Sequence, residues 1–143
     1  GARVLGMDPK DVLASAREHA AAEAALDADR TLATLCPNPV FEFYPNRLTI
    51  TGWANIETFY REQFPRFNAT VAGARVIDEW ANGNAAIQEY EIDINAGAGV
   101  ETYRVISMAP VDENGKQTGE RLYCDEGFVR HLLGPLFDLC EPI

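Results

Sequence analysis

Along the first quarter of the chain, positions repeat at steps of three and four. Val12, Ala16, His19, Glu23 and Leu26 fall on one line of a helix, and the Ala-rich stretch around them has high helix propensity. Asp8 can cap this helix, Pro9 suits its first position and Asp11 favours its positive end. A second short helix is predicted from about Asp29 to Leu35, stopped by Pro37 and Pro39. Val40 to Tyr44 then alternates as a short strand, with Val40, Glu42 and Tyr44 on one side and Phe41 and Phe43 on the other. After a Pro45-Asn46 turn, Trp53, Ile56, Tyr60 and Phe64 share the apolar face of a third helix that begins after Gly52 and ends at Pro65. From about Thr70 onward the segments read as strands. They are predicted over Val71–Trp80, Ala86–Asn95, Val100–Met108 and about Glu120–Asp125, with turns at Asn82-Gly83-Asn84, Gly97-Ala98-Gly99 and Asp112–Gly115. Phe128, Val129, Leu132 and Leu133 suggest a short closing helix before Gly134-Pro135.

Helices come first and a meander of long antiparallel strands follows, which predicts an α+β fold with the helices covering one face of the sheet. A long twisted sheet curves, and a helical layer over its concave face can leave a cone-like pocket. No linker or repeat divides the chain, so residues 1–143 read as one domain with its core at about 8–136.

The charge balance narrows the partners. Twelve Lys and Arg face 22 Asp and Glu, a formal net charge of −10, which repels phosphate backbones and anionic lipid. Nucleic-acid and membrane-surface roles are therefore not expected. Cys36, Cys124 and Cys140 show no Cys-x-x-Cys spacing, and free thiols in a reducing cytoplasm are the expectation. Two histidines without His-x-His spacing predict no metal site, and no Gly-rich phosphate loop points to a nucleotide, so no cofactor is expected.

Three local segments carry a family resemblance. They are Leu35-Cys-Pro-Asn-Pro-Val-Phe-Glu-Phe-Tyr-Pro45, the helix Thr51-Gly-Trp-Ala-Asn-Ile-Glu-Thr-Phe-Tyr60, and Tyr123-Cys-Asp125 followed by Gly127-Phe-Val-Arg-His-Leu-Leu-Gly134. Their order and spacing resemble the nuclear-transport-factor-2-like superfamily, and within it the SnoaL-like proteins with polyketide cyclase, ketosteroid isomerase, scytalone dehydratase and limonene epoxide hydrolase relatives. The resemblance spans roughly Asp8 to Leu136. It implies a small hydrophobic ligand and a homodimer paired through the convex face of the sheet.

The resemblance also implies that Asp125, at the end of the last predicted strand, is an acid/base group. The residue type suits that role, because a carboxyl in an apolar pocket has its pKa raised toward neutrality. Asp125 is equally suited to cap the helix that follows. Glu91 and Asp93 stand where limonene epoxide hydrolases have an Arg-x-Asp pair, with the arginine absent, and alternation puts Glu89, Glu91 and Asp93 on one face of their strand. Tyr44 precedes Pro45 where ketosteroid isomerases place an aspartate, and it could donate a hydrogen bond to a substrate oxygen. His19 lies on the sheet-facing side of the first helix and could pair with a carboxylate, or be a satisfied core histidine. Trp53, Ile56, Tyr60 and Tyr123 are candidates for the pocket wall or plain core. Two functional classes stay open. One is a cofactor-free enzyme that isomerises, cyclises, dehydrates or hydrates a small hydrophobic molecule. The other is a non-catalytic ligand-binding or dimerisation module.

Overall fold

The computed structural model describes residues 6–143. Helix α1 (Pro9–Ala24) starts as the sequence indicates, with Asp8 as N-cap accepting a hydrogen bond from the Lys10 N–H. Its buried line is Val12, Ala16, His19 and Ala22. Leu26 falls off that line, because the helix has ended and Leu26 turns outward at φ 54°, 46% exposed. Helix α2 (Ala28–Ala33) is capped by Asp27.

Strand β1 (Leu35–Tyr44) begins well before the predicted Val40. Pro37 and Pro39 do stop the helix, yet they sit inside the strand, where the register jumps between Leu35 and Val40 and ladder N–H donors are not needed. Strand β2 (Leu48–Thr51), unforeseen in the sequence, pairs antiparallel with β1. Four residues carry too little alternation to register as a strand.

The third helix also runs past its expected end. Helix α3 (Trp53–Thr58) widens into a π-helical turn (Phe59–Gln63) and continues as α4 (Phe64–Asn68). Pro65 does not end it because the wide turn restarts the ladder, leaving Pro65 in the first turn of α4, where no N–H is called for. Strands β3 (Val71–Ala81), β4 (Ala85–Asn95) and β5 (Val100–Pro110) form the meander. Strand β6 (Gln117–Tyr123) starts and stops earlier than expected. Helix α5 (Glu126–Leu133), a 3-10 turn (Gly134–Leu139) and the two-residue strand β7 (Glu141–Pro142) complete the chain.

The strands form one curved sheet in the order β3-β4-β5-β6-β1-β2-β7. All pairs are antiparallel except β1 with β6, which run parallel. That pair sets Phe41 opposite Glu120 and Phe43 opposite Leu122. It also brings the backbones very close at Gly119, where an added Cβ would stand 1.7 Å from the Val40 carbonyl oxygen. The helices lie on the concave face. The core there is strongly aromatic, with Phe41, Phe43, Phe59, Tyr60, Phe67 and Phe128 all buried. Phe43 and Phe128 are sealed from solvent, and burying each contributes roughly 2–3 kcal/mol.

The alternation of β4 is resolved by this curvature. Gln88, Tyr90 and Ile92 face the helices. Glu89, Glu91 and Asp93 are on the outer face, tied to Arg75 and Arg104 by salt bridges of 3.0–3.2 Å.

Candidate active site in the concave cavity

Between the helices and the concave sheet lies a cavity of about 370 Å³. Its walls are mostly apolar and aromatic, with Phe41, Phe43, Phe59, Phe64, Phe67 and Phe128 among them. Polar groups converge on it from several elements, among them His19 and Glu23 from α1, Tyr60 from the π-helical turn, Tyr90 from β4, and Gln117 and Glu120 from β6.

The π-helical turn gives Tyr60 its place. A wide turn inside a helix shifts the following side chains around the axis, and such turns often mark functional positions. Here Phe59 and Tyr60 stack nearly parallel, 5.0 Å apart, and both reach the cavity.

His19 is 2% exposed and fully engaged. Its Nδ1 is 2.6 Å from Thr34 Oγ1, and its Nε2 is 3.0 Å from the Tyr60 hydroxyl. Thr34 donates its own hydroxyl proton to the Thr31 carbonyl at 2.6 Å, so it accepts from Nδ1–H. Tyr60 donates to Glu23 Oε2 at 3.0 Å, so it accepts from Nε2–H. Both ring nitrogens then carry protons, and His19 is an imidazolium. The electrostatics agree. Burial works against the charge, but the charge and hydrogen bond of Glu23 and the charge of Glu120 outweigh it, raising the His19 pKa to about 9. Tyr60 is pushed well above its ordinary value by burial and by the two carboxylates, so it stays a proton donor.

Glu120 differs from its neighbours. Its Oε1 is 3.5 Å from His19 Nε2, a charge contact. Among the described residues it receives no hydrogen bond, and its side chain is only 15% exposed. Burial, reinforced by the Glu23 charge and opposed by His19, raises its pKa to about 7. Tyr90 also lines the cavity, its pKa pushed well up by burial and by the Glu120 and Glu23 charges. A carboxyl that changes charge near neutrality beside a phenol that stays protonated is a workable general base with a hydrogen-bond donor.

His19, Glu23 and Glu120 also bring nitrogen and oxygen atoms within 4.8 Å of one another. Tyr60 is hydrogen-bonded between Nε2 and Oε2, so the trio is linked by hydrogen bonds.

The sequence-derived candidates scatter. His19 and Tyr60 meet in the cavity, and Ile56 is sealed in the core beside it. Asp125 is the N-cap residue of α5, exposed, without a side-chain capping bond, and outside the cavity lining, because β6 ends at Tyr123 and releases the chain outward. Tyr44 and Tyr123 stack 5.0 Å apart, directly opposite each other in the parallel pair, and Tyr44 donates to Glu42 at 3.1 Å. Asp93 accepts from Thr102 at 2.6 Å and from Arg75 at 3.1 Å on the outer face, and Glu91 sits between Arg75 and Arg104. Trp53 is 37% exposed at the start of α3 and does not line the cavity. Glu23 and Glu120 were the missed residues. Glu23 follows His19 by one helical turn, and Glu120 alternates in phase with buried Leu122, so each put a carboxylate on an inward-facing line.

No family model and no curated protein matches the sequence. Solved structures do match the fold. An NTF-2 like protein of unknown function from Burkholderia xenovorans is 22% identical with a TM-score of 0.63, covering 81% of this chain and 84% of its own. The fold is nuclear-transport-factor-2-like. An M. tuberculosis LEH-like epoxide hydrolase is 22% identical with a TM-score of 0.66, over 92% of this chain and 96% of its own. A steroid delta-isomerase from Pseudomonas aeruginosa is 13% identical with a TM-score of 0.69, over 95% of both. Enzymes of different reaction classes thus share this nuclear-transport-factor-2-like frame, and the frame alone assigns none of their activities. No helix among the described residues is long and apolar enough to cross a membrane.

Proposed function

We propose that this chain is an acid/base enzyme of the isomerase, cyclase, dehydratase or hydrolase kind, acting on a small hydrophobic molecule held in the concave cavity. The observation that carries this reading is Glu120, a carboxyl enclosed at 15% exposure, facing an aromatic cavity and reached by no hydrogen-bond donor among the described residues, so that burial and the Glu23 charge raise its pKa to about 7. Glu120 exchanges the proton. The Tyr90 hydroxyl serves the substrate oxygen or nitrogen on which charge develops. His19, Glu23 and Tyr60 hold the local field and the position of Glu120. The protein acts in a reducing cytoplasm, consistent with three half-buried, unpaired cysteines. It works as a homodimer joined through the outer sheet face, where Trp80, Ile106 and Tyr123 are 49%, 39% and 40% exposed.

A second reading is favoured by one observation: every hydrogen bond of His19 and Tyr60 is used internally, as in a structural polar core. On that reading the cavity binds a ligand without turning it over. A turnover screen with steroids, polyketides and terpene epoxides decides between them. Activity in the wild type that Glu120→Gln abolishes supports the enzyme. Ligand binding without turnover of any of the three classes supports the binding module.

A further inference from the structure

The cavity's polar groups have an imbalance in hydrogens. Two of them offer an acceptor oxygen that no donor among the described residues reaches. One is the Glu120 carboxyl, an acceptor through both oxygens once ionised, whose polar contact among the described residues is the His19 edge at 3.5 Å. The other is Gln117 Oε1, on a side chain 1% exposed and lining the same cavity, which has no hydrogen-bond partner. A buried acceptor left without a donor is costly, so a ligand that brings hydrogens recovers that cost.

Most donors within the cavity are spent elsewhere, the Asn68 and Gln117 amide N–H groups excepted. His19 spends both N–H groups on Thr34 and Tyr60. Tyr60 spends its hydroxyl on Glu23, and Gln88 spends Nε2 on Glu79 at 2.7 Å. The Tyr90 and Ser107 hydroxyls can serve as donor or acceptor, so they fix no sign. Arg75 touches the lining, but its guanidinium is held by Glu91 and Asp93 on the outer face. Arg17, outside the lining, is held by Glu79 at 2.8 Å. The cavity therefore contains two carboxyl groups, one imidazolium and no free cation among the described residues.

We propose that the ligand of this cavity is a hydrophobic amine, with its ammonium group at Glu120 and Gln117 Oε1 and its hydrocarbon body against the aromatic walls. Four features agree. An ammonium supplies the donors that both acceptors lack. It supplies the positive charge that balances Glu120 as it ionises, and aromatic faces also attract cations. The net charge of −10 draws cations toward the protein and repels anions. The inference rests on the cavity being the functional site with Glu120 as its proton-exchanging group, and it names the chemical class of the molecule there. Binding is written as Glu120–COOH plus R–NH3+ giving the carboxylate–ammonium pair, with one proton released to solvent.

The test is a titration with three molecules of one skeleton, naphthylmethylamine, naphthylmethanol and naphthoate, followed by calorimetry at pH 6 in two buffers of different ionisation heat. The amine is expected to bind about tenfold or more tighter than the alcohol, the size of one charge-assisted hydrogen bond. Naphthoate is expected to bind weakest, and the amine alone is expected to release protons. Glu120→Gln is expected to erase the preference for amine over alcohol. As a check that does not touch the cluster, Gln117→Leu, which fills the same space, is expected to reduce the preference partly. The proposal is overturned if the amine does not bind, if alcohol or acid binds as tightly, or if the preference survives Glu120→Gln. Because binding is read at equilibrium, amine selectivity without turnover sinks only the catalytic reading. Turnover of a neutral or acidic substrate, with no amine preference, sinks only this one.

Discussion

His19 Nε2 and the Tyr60 hydroxyl lie 3.0 Å apart inside the cavity, and the same hydroxyl donates to Glu23 Oε2 at 3.0 Å. The contact joins α1 to the π-helical turn and leaves His19 with both nitrogens protonated. Without it, Glu23 and Glu120 would face each other across an apolar space with no counter-charge. His19→Leu is therefore expected to destabilise the fold by about 3–5 kcal/mol at pH 7, the cost of removing one partner from a buried charge cluster. Tyr60→Phe keeps the ring packing and is expected to cost about 1–3 kcal/mol. Urea unfolding of the two variants beside the wild type measures both, and equal stability of all three would refute the assignment of His19 as imidazolium.

Stability should fall as pH rises across neutrality. His19 titrates at about 9 in the fold against an ordinary 6.5, so its contribution is complete below 6.5 and lost as pH climbs through 9. Glu120 titrates at about 7 against an ordinary 4.5, so the folded state holds its proton longer. Its contribution is complete below 4.5 and lost through 7. Both slopes have the same sign. Thermal unfolding is expected to show Tm decreasing steadily from pH 5 to pH 9. Glu120→Gln should flatten the lower part of that decrease. A Tm that rises over this window would contradict both assignments.

Two carboxylates compete for the role of proton carrier, and one pair of variants separates them. Glu120→Gln is expected to lower kcat by at least about 10²-fold, the ordinary contribution of a general acid/base group. Asp125→Asn, at an exposed helix start with no side-chain capping bond, is expected to stay within about twofold of wild type. Steady-state kinetics on a substrate found by the turnover screen reads this directly, and the opposite ordering would return the role to Asp125.

The outer sheet face gives a prediction of assembly. Trp80, Ile77 and Ile106 are exposed by 49%, 45% and 39%, an apolar area that pairing would cover. Light scattering at micromolar concentration is expected to give the mass of two chains, and Trp80→Glu is expected to give one. A wild-type monomer would rule out the interface.

The fold was readable because period-2 and period-3.6 patterns hold over long stretches: β3, β4 and β5 lie almost where alternation puts them. What the sequence hid was set by tertiary pairing. The parallel contact of β1 with β6 is invisible to any local pattern, yet it sets Glu120 opposite Phe41. The sign of the β4 alternation also needed the curvature, since acidic Glu91 and Asp93 look equally suited to a pocket or to the salt-bridged outer face they occupy. His19 could be read because a polar residue on a buried helical line has to find partners. Asp125 drew attention by resemblance, while the chain leaves the sheet two residues before it.

Gly119 is the backbone feature on which the site depends. It adopts φ +144°, a region that side chains rarely enter, and a Cβ there would stand 1.7 Å from the Val40 carbonyl oxygen and 2.6 Å from its carbon. Val40 and Gly119 are paired neighbours, one step before Phe41 meets Glu120. The obstacle is backbone, so no rotamer change relieves it, and β1 and β6 must separate. Gly119→Ala is therefore expected to cost about 3 kcal/mol or more, combining backbone strain with a displaced ladder. The neighbouring inward side chain should move with it, so Glu120 would lose its enclosure and its pKa would fall back toward the ordinary carboxylate value. Urea unfolding reads the first effect. Carboxyl carbon NMR over pH 4–9 reads the second, with the Glu120 midpoint near 7 in the wild type and lower in whatever fraction of Gly119→Ala still folds. A variant with wild-type stability and an unmoved Glu120 midpoint would show that the parallel pair does not set the site.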